Sequence, residues 1–268
     1  MDSEVLSDLL ADVKALARSA GAAIEEVRAR GTEVESKEDG SPVTEADMAA
    51  HRVLVSGLDE CQPQYPVVSE EGEFEESGSD FPSVHWLVDP LDGTKEFVKG
   101  LPEYTVNAAL VEYGAPVLGV IYIPAADTLY YAAQGLGAWK VDDSASPERL
   151  NATPQESAFT AAISRSHASQ EIQDLLDRWR VQELVRRGSS LKMCAVAEGT
   201  AHVYPRLGPT YLWDTAAGTA IVREAGGQVT DLNGQPLTYK LQDGWKKYGF
   251  FVTSVNKSAE TLAGQIEV

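Results

Sequence analysis

Cysteine is nearly absent from this chain of 268 residues: Cys61 and Cys194 stand far apart. Two such thiols cannot build a disulfide framework, and both are expected to be buried and reduced. Histidine is scarce too, with four residues and no H-x-x-x-H or Cys/His spacing, which removes the usual zinc sites. Positive charge is in short supply: 22 Lys and Arg against 41 Asp and Glu leave a net charge of −19. So acidic a chain lacks the basic surface that supplies most nucleic-acid affinity, and nucleic acid is excluded as an expected partner. No apolar run approaches the roughly 20 residues needed to span a bilayer, so no integral membrane contact is expected. The first residues, Met1-Asp-Ser-Glu4, lack the basic start of a signal peptide. These absences predict a soluble, cytoplasmic protein, as a monomer or homodimer, without repeats or low-complexity segments.

Apolar residues are plentiful, at 43%, enough for a substantial core. One stretch organises the rest: Trp86-Leu-Val-Asp-Pro-Leu-Asp-Gly-Thr94. Residues 85–88 read as a buried strand, and Asp89 falls where Pro90 should stop the sheet ladder. Asp92 follows three residues later, Gly93 permits a tight fold, and Thr94 adds a hydroxyl. Two carboxylates about 4 Å apart repel by roughly 4 kcal/mol at an effective dielectric of ~20. Such a pair either takes up a proton or binds a cation, and hard oxygen ligands on a turn suit Mg²⁺. Taken alone, Asp-Pro and Asp-Gly are equally compatible with an ordinary surface turn.

Along the chain, Val5, Leu9, Val13, Leu16, Ala20, Ile24 and Val27 recur at helical steps and predict an amphipathic helix over 3–29. Residues 33–40 read as a loop or hairpin tip. Thr44 and Asp47 form a capping-box pattern for a helix running to about residue 58. Asp47 is then either a cap or a carboxylate that accepts a proton from Thr94 or water. A strand over 65–69 ends in Glu70-Glu71. Glu70, against the strand, is the favoured ligand, and the role of Glu71 stays open. An antiparallel meander is expected over 105–113, 117–122, 129–133 and 138–139. The polar stretch 141–156 marks a boundary between units 1–150 and 151–268.

The second half alternates strands (158–164, 183–187, 201–204, 249–254) with helices (169–180, 188–198, and one opening at Trp213-Asp214). Residues 205–209, with two prolines, read as a rigid loop. Asp214 is expected at the N-cap of its helix, where Ala216, Ala217, Gly218 and Ala220 permit close approach to another element.

In order, Asp47, Glu70-Glu71, Asp89-Pro-Leu-Asp92-Gly-Thr94 and Trp213-Asp214-Thr-Ala-Ala217 resemble the signature of the inositol monophosphatase-like superfamily of Mg²⁺-dependent, lithium-sensitive phosphatases. The resemblance covers nearly the whole chain. Within the superfamily, Val68-Ser-Glu-Glu71, Trp86 to Lys95-Glu-Phe97, Ser164-Arg-Ser-His167, Gly188-Ser-Ser-Leu-Lys192 and Tyr204-Pro-Arg-Leu-Gly-Pro-Thr210 are similar to the bacterial CysQ-type 3′(2′),5′-bisphosphate nucleotidases.

That resemblance implies an α+β or α/β fold, a layered αβαβα sandwich of the inositol monophosphatase/fructose-1,6-bisphosphatase type. An N-terminal α+β unit would carry most metal ligands, and a C-terminal α/β unit would supply Asp214 and the substrate contacts. It implies two or three Mg²⁺ ions held by Glu70, Asp89, the Leu91 carbonyl, Asp92 and Asp214. Catalysis would use Asp47, Glu70 and Thr94, with Glu70 and a metal polarising water and Thr94 with Asp47 taking its proton. The small-molecule substrate would be 3′-phosphoadenosine 5′-phosphate, cleaved to AMP and phosphate in sulfur assimilation. Its contacts would be Gly93, Thr94, His167, Ser189 or Ser190, Lys192, Arg206 and Asp214. Arg165, Arg186 and Arg187 add local positive charge on an otherwise acidic chain. Two other readings are an inositol or sugar monophosphatase of the same superfamily and a non-catalytic regulator that binds metal or nucleotide.

Overall fold

The first helix forms where the apolar spacing places it. In the computed structural model α1 spans Ser3–Arg30, capped by the Asp2 side chain on the Glu4 amide, and it buries Leu9, Val13, Ala20, Ile24 and Val27. The structure describes residues 1–31, 34–36, 42–72, 82–143, 145–153, 159–165 and 169–254. A short hairpin, β1 (Val34–Ser36) and β2 (Pro42–Thr44), leads into α2 (Glu45–Glu60). Then come β3 (Val67–Ser69), β4 (Val84–Asp92), α3 (Thr94–Val98), β5 (Thr105–Glu112), β6 (Ala115–Ile123), β7 (Thr128–Ala133), β8 (Gly137–Asp142) and β9 (Glu148–Arg149). These strands form one seven-stranded sheet in the order β3-β4-β5-β6-β7-β8-β9, antiparallel except for β3 beside β4.

The remaining elements are β10 (Thr160–Ser164), α4 (Gln170–Arg178), β11 (Glu183–Arg187), α5 (Leu191–Ala197), β12 (Val203–Tyr211), α6 (Leu212–Glu224), β13 (Gln228–Thr230) and β14 (Lys246–Thr253). They build a second sheet in the order β11-β10-β12-β14-β13, with β10 parallel to both neighbours. From β10 the chain goes first to one side and then to the other. The carboxyl ends of β10 and β11 and the 204–206 stretch of β12 therefore meet at a point where strand order reverses, the usual ligand crevice of an α/β sheet.

The central strands are buried on both faces, and their alternation sorts the layers. Trp86, Val88, Leu110 and Val120 pack under α1 and α2 against Leu9, Val13, Ile24 and Leu54. Leu87, Ala109, Val111 and Ile121 face the opposite way, onto Ala216, Ala217 and Ile221 of α6, in one core with Tyr204, Phe250 and Val252 of the second sheet. The far side of that sheet places Ile163, Val203 and Phe251 against Leu175, Leu176 and Trp179 of α4. The result is the expected five-layer αβαβα sandwich, with α5 and α6 in the middle. Cys61 and Cys194 are free and buried, as expected. No helix among the described residues is long and apolar enough to cross a membrane.

Both proline-based expectations need correction. β4 does not stop at Asp89 but continues to Asp92. Asp89 pairs with Asn107 and Asp92 with Thr105, so one extra residue bulges out around Pro90. Likewise 205–209 is no loop: β12 runs through it, with one extra residue between Arg206 and Pro209 opposite Phe250 and Tyr248. A bulge needs no ladder amide at the inserted residue, so proline is tolerated there. The anticipated closeness of the small-residue helix is real. A Cβ on Gly119 of β6 would lie 2.4 Å from the Ala217 carbonyl oxygen, and one on Gly218 would lie 2.6 Å from the Met193 sulfur.

Candidate active site

The bulge in β4 and the end of β3 bring the acids together. Ser69 pairs with Val88 in parallel register, and the Glu70 amide donates to the Val88 carbonyl at 2.9 Å, which sets Glu70 beside Asp89. Asp89 is 1% exposed, and its Oδ1 accepts the Leu91 amide at 3.1 Å. Asp214 arrives from the other half of the chain. It is not the N-cap of α6 but the third residue of the helix, where Oδ2 accepts from the Tyr211 amide at 3.0 Å and the Thr210 hydroxyl at 2.8 Å. One oxygen each from Glu70, Asp89 and Asp214 lies within 4.8 Å of the others.

Asp92 stands next to this trio rather than in it. Its Oδ2 accepts the Ser190 amide at 2.6 Å, with Asn107 Nδ2 at 3.5 Å. Glu71 lies in the turn after β3, outside the trio.

Burial and mutual repulsion act in the same direction on these groups. Asp89 is raised well above the usual carboxylate range, first by burial and then by Glu70, Asp92 and Asp214. Asp92 is raised by burial, against the opposing pull of Lys192 and the Ser189 and Ser190 donors. Asp214 is pushed up to about 7 by burial and Asp92, with Thr210 opposing. A carboxyl whose pKa is higher folded than unfolded binds more protons in the native state, so stability falls as pH rises between the two values. For Asp214 that window runs from the ordinary 3.8 to about 7. In chelator, thermal melts should therefore show the melting temperature falling from pH 5 to pH 8, and saturating Mg²⁺ should remove or reverse that slope. A metal-free protein that became more stable across this window would contradict the site. The donor set is all oxygen and too crowded to stay fully ionised alone, which fits a hard divalent cation.

Asp47 both caps its helix and contacts Thr94. Oδ2 accepts from the Thr44 amide and hydroxyl, both at 2.7 Å, and closes the capping box of α2. Oδ1 accepts the Thr94 hydroxyl at 3.0 Å. The same hydroxyl lies 3.1 Å from the Leu91 carbonyl. Gly93, at φ +95°, turns the chain from β4 into α3 and so presents Thr94 to Asp47.

Of the expected substrate residues, Ser189, Ser190, Lys192, Arg206 and Asp214 come together beside the carboxyl edge of the second sheet, while Gly93 and Thr94 line no part of the cleft formed there. Asp92, Ser189, Lys192, Arg206 and Asp214 line a cleft of about 140 Å³. It shares Tyr204 and Arg206 with a second cleft of about 320 Å³ that reaches Ile163, Ser164 and Ile172. Lys192 is buried, donates to the Ser189 carbonyl, and sits 5.4 Å above the Tyr204 ring. Burial pulls its ammonium down, and Asp92 holds it up. Arg206 Nη2 donates to the Pro209 carbonyl at 2.8 Å. Arg186 and Arg187 are exposed on β11 and line neither cleft. His167 lies outside the described residues.

Arg165 is engaged elsewhere, in a two-pronged ion pair with buried Glu103, whose carboxyl it holds below the usual range. Glu103, Thr105 and Asn107 were not anticipated. Thr105 Oγ1 contacts the Ser189 and Ser190 hydroxyls at 2.6 and 2.9 Å, and Ser190 Oγ donates to Asn107 Oδ1 at 3.0 Å. The sequence did carry a trace of them. In Thr105-Val-Asn107-Ala-Ala, two polar residues at period 2 share one face of an otherwise apolar strand.

Comparison with known proteins agrees with this geometry. The profile of the inositol monophosphatase family matches residues 6–262. The chain is 44% identical over 247 residues, 91% of its length and 99% of the relative, to the 3′(2′),5′-bisphosphate nucleotidase CysQ of Escherichia coli K12. Among solved structures it resembles CysQ from Bacteroides thetaiotaomicron, with a TM-score of 0.80 and 36% identity over 95% of this chain and 98% of that one. An IMPase of Thermotoga maritima superposes with a TM-score of 0.75 at 27% identity, covering 93% and 94% of the two chains. Acids gathered from both sheets onto one point, the five-layer order and a match from near one end of the chain to the other lead to a single conclusion: the chain belongs to the inositol monophosphatase family.

Proposed function

We propose that this protein is a 3′(2′),5′-bisphosphate nucleotidase that hydrolyses 3′-phosphoadenosine 5′-phosphate to AMP and phosphate. The observation that carries this reading is the cleft in which the cations Lys192 and Arg206 stand together, sharing Asp214 with the carboxylate trio. A phosphomonoester with a single anionic group needs only the acidic centre and its metals. A second phosphate needs cations a few ångströms away, and here they are supplied on an otherwise acidic protein.

Glu70, Asp89, the Leu91 carbonyl, Asp92 and Asp214 would hold two or three Mg²⁺ ions, which would supply Lewis-acid polarisation and neutralise phosphoryl charge. The chain's own groups do the rest. The Thr94 hydroxyl, its proton directed to Asp47 Oδ1, has a lone pair free to accept a proton from the attacking water. Glu70, from the carboxylate trio, would help to polarise that water. Gly93 and Thr94 bring backbone amides to the phosphate at the start of α3. Lys192 and Arg206 hold the second phosphate, and Ser189 lies toward the nucleoside, which extends into the larger cleft under Tyr204; a nucleoside contact is assigned to His167 by the family resemblance alone. Binding both ends fixes the reacting phosphate for in-line displacement.

Initial rates of phosphate release from the bisphosphate nucleotide and from inositol 1-phosphate, with Mg²⁺ and with or without Li⁺, test this. The nucleotide should be favoured at least about tenfold in kcat/KM, the equivalent of one good ionic contact. Chelation should abolish release, and Li⁺ should inhibit it. Equal or better turnover of the inositol ester would overturn the substrate assignment.

A further inference from the structure

One buried carboxylate has no part in the reaction just described. Glu103 lies between α3 and β5 and is 8% exposed. Its Oε2 accepts the Gly188 amide at 2.9 Å and Arg165 Nε at 2.6 Å, and Oε1 accepts the second guanidinium prong. Arg165 follows β10 and Gly188 follows β11, so a single side chain from the first half of the chain grips two loops of the second. The packing here leaves no slack. A Cβ on Gly188 would lie 3.0 Å from the Glu103 carbonyl oxygen, and one on Gly93 would lie 2.9 Å from the same atom.

The gripped loop is a strained one. Ser189 adopts φ +52°, a left-handed conformation that is unfavourable for a non-glycine residue and persists only where its surroundings enforce it. Two residues at and just after this loop face the reaction: Ser190 gives its amide to Asp92, and Lys192, in the first turn of α5, lines the cleft. We propose that Glu103 is a positioning residue that never touches substrate but, by holding the strained 188–190 turn, fixes the Lys192 ammonium and the Ser190 amide against Asp92. The inference rests on Lys192 being a phosphate contact.

The test uses Glu103→Gln alone and combined with Arg165→Met. Alone, the amide either keeps its oxygen on Gly188 and Arg165 Nε and sets its NH₂ against Arg165 Nη2, or reverses and sets its NH₂ against both Gly188 and Nε; either way donor meets donor, the charge that holds the arginine is gone, and the grip on the turn is loosened. With Arg165 replaced as well, the carbonyl of the new side chain is free to accept Gly188. The single variant should raise KM for the bisphosphate nucleotide, and the Kd for AMP measured by calorimetry in Mg²⁺, by about tenfold, the lower end for a lost hydrogen bond to a charged group. Its kcat should change less than about threefold, and the double variant should restore KM and Kd to within about threefold of wild type. A merely structural role would lower melting temperature without this split or this rescue. A single variant with KM and AMP affinity within about twofold of wild type overturns the proposal, and so does a double variant as impaired as the single one. Should wild type prefer inositol 1-phosphate, the substrate reading fails separately, and Glu103 is then judged on KM for that ester by the same criteria.

Discussion

Asp89→Asn is expected to abolish phosphate release, by about a thousandfold or more, while leaving the metal-free protein at least as stable as wild type. The loss follows from position. Asp89 is the most enclosed member of the trio, and an amide there removes the charge that several kcal/mol of metal-assisted stabilisation depend on. The stability result follows from repulsion. Glu70, Asp92 and Asp214 all push the Asp89 carboxyl toward its neutral form, so the ionised form is unfavourable without a cation. A neutral, nearly isosteric side chain relieves that tension by about 1–3 kcal/mol. Melts in chelator should show a melting temperature equal to or above wild type, and added Mg²⁺ should raise it for wild type far more than for the variant. An active Asp89→Asn protein, or one that melts well below wild type in chelator, would show that the trio is a structural network instead.

Thr94→Val should lower kcat by about 10²–10⁴-fold with little change in KM, the range for a lost proton-transfer group. Valine keeps the shape at this half-buried site but removes the hydroxyl that links Asp47 to the reacting water. Asp47→Asn should match it. Its carbonyl can still accept from the Thr44 amide and hydroxyl, so α2 keeps its cap. Its NH₂ then faces the Thr94 hydroxyl and reverses the direction of that hydrogen bond. Melting temperatures within a few degrees of wild type, together with the kcat loss, would separate chemistry from folding. Steady-state kinetics that place either loss mainly in KM, or leave kcat within about tenfold, would remove these residues from proton transfer.

Much of this site could be read from the chain because its acids punctuate strand ends and helix starts. Glu70 follows a short apolar run, Asp47 sits three residues after a cap, and Asp214 opens a helix of small residues. Such local signals survive in one dimension. Proline misled twice: Pro90 lies within a bulge of β4 and Pro209 closes one in β12, where a bulge and a terminus share the same missing amide, while Pro205 sits in register opposite Phe251. Glu103 was hidden because its meaning is wholly tertiary. Nothing near Pro102-Glu103-Tyr104 indicates that its partners come from Arg165 and Gly188. The placement of Asp92 was only half legible. Its spacing from Asp89 showed that both lie near one turn, but the extra residue around Pro90 puts it beside the trio, facing Ser190.

The middle layer has a consequence for biosynthesis. The first sheet is complete once Arg149 has been made, yet the helix that covers its inner face ends at Glu224. At ribosomal speeds of about 5–20 residues per second, that interval lasts roughly ten seconds. Throughout it Leu87, Ala109, Val111 and Ile121 of the nascent chain have no α6 to pack against. The emerging polypeptide is thus a natural chaperone client, and a translational pause between codons 150 and 212 would prolong its stickiest state.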